Sequence, residues 1–191
     1  HLSIRRQRQM CIRDRVKSKT ASFIIDHIDE DIKRYRDTKE DFEKQFRVLC
    51  RHNEQLKRLK SIPGIGDIGA VRILAQVIDA HRFKKSGHYL SYCGLVKLEK
   101  LSGGRSYGKK NPRYSRILKS VYKTAALASI SGNNPIREYY DDLLEKGLAE
   151  HNARNAVARY IAKVSYGMLK SGLEYQPYKW RECSAKSSII K

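Results

Sequence analysis

The chain has 191 residues, with 40 Lys and Arg against 20 Asp and Glu and a formal net charge of +20, so it can hold one core plus a helical extension and calls for a polyanionic partner, nucleic acid first. No apolar run approaches the roughly 18 residues of a spanning helix and no lipidation signal is present, which argues against a membrane partner and reads as a cytoplasmic protein. The four cysteines, Cys11, Cys50, Cys93 and Cys183, lie too far apart for zinc-site or disulfide-scaffold spacing and read as reduced thiols.

Residues 1–15 stand apart. Met10-Cys11-Ile12-Arg13-Asp14-Arg15 reads like a translated sequencing adapter, with a disordered basic arm carrying Arg5, Arg6 and Arg8 as the other reading. Native sequence is then expected from about Val16, in a chain cut at its upstream end.

Residues 16–60 are expected to form a coiled-coil helix. Ile28, Tyr35, Phe42, Leu49 and Leu56 recur every seventh position, with Ile25, Ile32 and Phe46 as the alternate partners. Lys39 and Asn53 fall on the same seam, where polar residues weaken packing while fixing register. A homo-oligomer through this helix follows as an expectation.

A domain over residues 61–175 comes next. Ser61 to Gly66 breaks the helix, and apolar spacing from Asp67 to Ala80 predicts another. Helix, tight turn, helix is the form of a helix-hairpin-helix element, in which the backbone N–H groups around Gly64 and Gly66 can approach a phosphate. A helix corner needing glycine only for packing is the competing reading. After a break near Gly87, Tyr89 to Val96 is a short apolar stretch, and Lys97 to Pro112 reads as a basic loop or small hairpin. Asn111-Pro112 and Asn134-Pro135 look like N-caps followed by proline, predicting helices to about Ser131 and Glu145. A last helix from about Asn152 ends near Gly172, and residues 176–191 are left as a tail.

Charge concentrates in one segment. Lys97, Lys100, Arg105, Lys109, Lys110, Arg113, Arg116, Lys119 and Lys123 are opposed by Glu99 alone and interleaved with Tyr107, Tyr114 and Tyr122. One-signed charge with glycines and rings is the composition of a nucleic-acid groove. Within it, Ser102-Gly103-Gly104-Arg105 sets a hydroxyl beside a flexible backbone and a cation, so Ser102 is a candidate nucleophile towards phosphorus, although an ordinary turn has the same composition. The acidic clusters and scattered histidines show no metal-ligand spacing, so no metal is expected in this chain.

Leu59 to Gly66, Phe83-Lys84, Leu90 to Val96, Ser102 to Gly104, Asn111 to Ala126, Asn134 to Tyr140 and Met168 to Gly172 together resemble the IS110/IS116/IS902 family of insertion-sequence transposases. The resemblance covers roughly residues 20 to 178 and implies a mainly α fold, a coiled coil joined to a C-terminal transposase domain. It also implies a prokaryotic recombinase guided by a structured bridge RNA, with Ser102 forming a covalent link to DNA. The family's acidic domain, which holds Mg2+, has no counterpart in these residues, so this chain is expected to be inactive alone. A non-catalytic helix-hairpin-helix protein binding DNA or RNA is the alternative, and a coiled-coil scaffold with an incidental basic face is the third reading.

Overall fold

The computed structural model describes residues 19–110 and 112–181, so the adapter-like stretch, Asn111 and the end of the tail lie outside it. The described residues are mainly α-helical and fall into two units, one ending at Gln45 and the other starting at Phe46.

Helix α1 runs Lys19–His52. On its seam Ile28, Tyr35, Phe42 and Leu49 are exposed to 51, 65, 60 and 50 %, while Ile25 and Phe46 are half-buried. Exposed pairs such as Asp31 with Arg34 at 2.8 Å and Asp41 with Lys44 at 3.2 Å lie one turn apart on the polar side, each contributing about 0.5 kcal/mol or less. The helix does not continue to Lys60 as the heptads predicted. Asn53 takes an extended backbone and its side chain accepts the Leu56 N–H at 3.1 Å, so the polar seam residue is the N-cap of a second helix, α2, Glu54–Lys60. Leu56 and Leu59, on α2, are buried in the core.

In the second unit α3 (Asp67–Val77) is followed by a 3-10 turn (Ala80–Arg82) and α4 (Ser86–Tyr92), which spans Gly87 without a break. Strands β1 (Leu98–Ser102) and β2 (Arg105–Lys110) form an antiparallel hairpin, and α5 (Arg116–Ile130), α6 (Pro135–Glu145) and α7 (Glu150–Ser171) complete the unit. Helix α7 is the central post. Val157, Ile161 and Ala162 are wholly buried and α3, α5 and α4 supply Ile73, Leu118, Tyr122 and Tyr89 to the same core. Burial of each of the Val, Ile and Leu side chains among these stabilises the fold by about 1.5–3 kcal/mol through area removed from water.

Two caps were readable in advance. Asn134 accepts the N–H groups of Ile136 and Arg137 at 3.0 and 3.2 Å, with Pro135 opening α6; and Gly172, at φ +69°, closes α7. Helix α5 ends next to Ser131, where its end was expected. The helix expected at Pro112 starts later, because the Ser115 hydroxyl is the group that accepts a first-turn N–H, from Leu118 at 3.3 Å.

A chain of hydroxyls ties α4, α5 and α7 together. Ser165 Oγ donates to the Ala162 carbonyl at 3.0 Å, so it accepts from Tyr122, 2.7 Å away, and Tyr122 in turn accepts from Tyr89 at 2.5 Å. Burial pushes both phenols above their ordinary range, so each keeps the proton this chain requires.

Candidate nucleic-acid interface

The Ser-Gly-Gly-Arg run is the tip of the hairpin. Ser102 ends β1, Arg105 begins β2, and the two are direct cross-strand partners. Gly103 and Gly104 form the two-residue connection with φ +56° and +73°, the left-handed pair that a tight hairpin turn of this length requires. Because directly opposed residues share a face, the Ser102 hydroxyl and the Arg105 guanidinium project to the same side, and Tyr107, two residues further on, follows them. Ser106 opposes Leu101 and belongs to the other face. One extra residue on β2, next to Gly108 at φ +116°, makes a bulge between Glu99 and Leu101 that bends the ribbon below its tip.

The hairpin is exposed from Ser102 to Gly108, and Tyr107 is 71 % exposed. Its base is firmly held. The Ser115 N–H donates to the Tyr92 carbonyl at 2.8 Å and its hydroxyl to Gln76 Oε1 at 3.0 Å, which closes the segment from α4 to α5. Gly94, at φ +67°, lies so close to the Tyr114 ring that a Cβ there would strike it.

Of the predicted cations, Lys97, Arg105, Arg113, Arg116 and Lys123 are exposed, and no ion pair joins any of them to a described residue. Lys97 precedes the hairpin and Arg113, Arg116 and Lys123 follow it, reaching into the middle of α5, while Arg105, Lys109 and Lys110 stand on β2. The three tyrosines separate. Tyr107 is free to stack, Tyr114 lies between Gly94 and the Lys119 ammonium, 4.4 Å from the ring centre, and Tyr122 is wholly buried and belongs to the core. The period that places Tyr122 on the face of Leu118, Ala125 and Ser129 was the available signal.

The glycine turn packs on α5. Gly64 has φ +85° and a Cβ on it would overlap the Ala125 carbonyl oxygen and Ser129 Oγ, while Ser129 Oγ donates to the Pro63 carbonyl at 2.6 Å. Gly66 differs, with no atom within 4 Å of a Cβ and an exposed position as the N-cap of α3. Asp67 begins that helix and pairs with Lys60 at 2.5 Å, whose ammonium holds its carboxyl below the usual carboxylate range. Among the described residues no three His, Cys, Asp or Glu side chains lie together as a metal ion would need. No described helix is long and apolar enough to cross a membrane.

Residues 56–141, from α2 to the middle of α6, match the transposase family designated IS116/IS110/IS902. The chain belongs to that family. It is 31 % identical over 135 residues to a 43.6 kDa uncharacterized protein of insertion element IS110 from Streptomyces coelicolor, covering 70 % of this chain and 33 % of that one. A 44.8 kDa uncharacterized protein of insertion element IS116 from Streptomyces clavuligerus is 27 % identical over 138 residues, covering 72 % and 35 %. The transposase of insertion sequence element IS1111A from Coxiella burnetii is 34 % identical over 65 residues, covering 34 % and 18 %. The chain thus carries a transposase domain of this family and spans about a third of the length of the IS110 and IS116 proteins.

Proposed function

We propose that this transposase domain binds DNA through the hairpin and its flanking cations, and that Ser102 is the nucleophile it contributes to a composite site for strand exchange. The observation carrying this reading is the register that sets Ser102 beside Arg105 on one face of an exposed, base-clamped hairpin. In the reaction the Ser102 Oγ–P bond forms as the P–O bond to the leaving strand breaks. The hydroxyl proton passes to a base and the departing oxygen gains one. One phosphoester replaces another, so the exchange needs no external energy source. Arg105 offsets the charge that develops on the phosphoryl oxygens.

In this reading the family's acidic domain would supply the base and hold Mg2+, which would stabilise charge on the reacting phosphoryl group, and the isolated chain would bind DNA without cleaving it. A bridge RNA as guide, a homo-oligomer through the α1 seam and a prokaryotic cytoplasmic location complete the proposal. Within the helix-hairpin-helix reading, Gly66 rather than Gly64 is the glycine with open space for a phosphate, since the Cβ side of Gly64 is filled by α5.

The binding half is tested by the salt dependence of duplex affinity, followed by fluorescence anisotropy. Each phosphate contact contributes about 0.9 to the log–log slope, so Lys109→Glu, Lys110→Glu and Arg113→Glu together should shallow it by about 2–3. Affinity should fall alike for unrelated sequences. A triple variant with the wild-type slope removes the hairpin from the interface.

A further inference from the structure

A concavity lies between α7 and the segment that follows it, and no hairpin residue lines it. It is a half-open groove of about 1100 Å³, at or above the roughly 300–1,000 Å³ of a small-molecule pocket, and so has room for a larger ligand. The floor is apolar, with Val164 and Met168 of α7 beside Leu90 of α4. The walls are cationic. Arg159, Lys163 and Lys179 line it, and none forms an ion pair with a described residue, whereas Lys146 at the rim is engaged by Asp142 at 2.6 Å. Glu174 is the one carboxylate among the described lining residues.

Two further features point to an occupant. Gly167 stands inside α7, where glycine costs about 1 kcal/mol relative to alanine. Neither backbone nor packing requires it there, since its φ is not in the left-handed region and a Cβ would meet nothing within 4 Å. Gly167 lines the groove and is exposed, so a large side chain placed there would project into its open space. Trp180, 8 % exposed, also lines the groove, its ring packed on Tyr139 with centres 5.4 Å apart, and its buried indole N–H has no acceptor among the described residues, so the ring must shift for an occupant to reach it.

We infer that this groove is a second nucleic-acid site, which takes an unpaired DNA strand with its bases on the apolar floor and its phosphates on Arg159, Lys163 and Lys179. Charge complementarity selects a polyanion, and the apolar floor selects one that carries flat, weakly hydrated groups between its charges. Strand exchange by a transposase exposes such a strand. The site goes beyond the hairpin, shares no residue with it, and is open to independent test.

Trp180 is the single tryptophan of the chain and reports directly on the groove. Titration of the whole chain with the oligonucleotide dT10 should change its emission saturably. Gly167→Leu, which fills the floor without altering charge and favours the helix, should weaken that response at least tenfold, and Lys163→Glu should do the same by charge. Circular dichroism checks folding, and should Gly167→Leu fail to fold, the exposed Lys163→Glu carries the comparison. The hairpin triple variant should keep the amplitude of the emission change. Wild-type affinity for dT10 in both groove variants would overturn the inference. So would displacement of dT10 by poly-glutamate at equal charge, which points to an acidic protein partner, or tenfold tighter binding of rU10, which points to RNA. A chain ending at Arg181 should respond as the whole chain does; a tenfold gain in affinity would mean that residues 182–191 are the occupant instead.

Discussion

Replacing Gly64 by alanine separates packing from phosphate contact at the glycine turn. Its φ of +85° costs a residue with a Cβ about 1–2 kcal/mol, before any contact is considered. The new methyl would also collide with Ser129 Oγ, whose single proton is shared between the Pro63 and Ala125 carbonyls at 2.6 and 2.8 Å. Displacing that buried hydroxyl from its partners adds about 1–3 kcal/mol. The sum, about 2–5 kcal/mol, is a large part of the roughly 5–15 kcal/mol that holds a typical domain together. With a urea dependence of about 1–3 kcal/mol per molar, the unfolding midpoint should drop by about 1 M or more. Gly66→Ala, which meets nothing within 4 Å, should cost about 1 kcal/mol or less as a weaker N-cap. Equal midpoints for Gly64→Ala and the wild type would refute the packing of this turn on α5.

Two other outcomes follow from the described side chains. Light scattering should report a dimer or larger species, reduced to monomer by Phe42→Asp with Leu49→Asp, because both stand on the exposed α1 seam; a wild-type chain monomeric at micromolar concentration would oppose this. Burial pushes the Cys93 thiol from 9.0 up to about 12, so the native state holds a proton that the unfolded chain releases above about pH 9. Stability is then full below pH 9 and falls as pH rises towards 12, with Tyr89 and Tyr122, also raised by burial, adding to the fall above pH 10. Cys93→Ala should delay the onset seen in urea titrations, and an unchanged onset would place the thiol in water.

Much of the fold was legible because local chemistry and tertiary packing agree in it. Asn134 and Gly172 do in the structure what their types suggest, and the α1 heptads mark a real helix. Where the reading slipped, a second constraint outweighed the local one. Asn53 fits a seam position and a cap equally well, and the burial of Leu56 and Leu59 in the core decides for the cap. The start of α5 shifts to Ser115 because that residue is also bonded to Tyr92 and Gln76. For the site, composition located the basic segment, but the pairing of Ser102 with Arg105 depends on a register that alternation alone did not specify. The groove on α7 was out of reach, since Leu90 and Tyr139 come to line it beside Trp180 only through the tertiary fold.

The most direct measurement of the central claim is the trapping of a protein–DNA adduct on denaturing gels, using this chain joined to the family's acidic domain, with divalent metal present and then chelated. Ser102→Ala should keep folding and duplex binding yet abolish the adduct, while Ser106→Ala, on the opposite face of the hairpin, should leave it intact. Adduct formation at the wild-type rate by Ser102→Ala would place the nucleophile elsewhere and return the hairpin tip to a turn that only binds DNA.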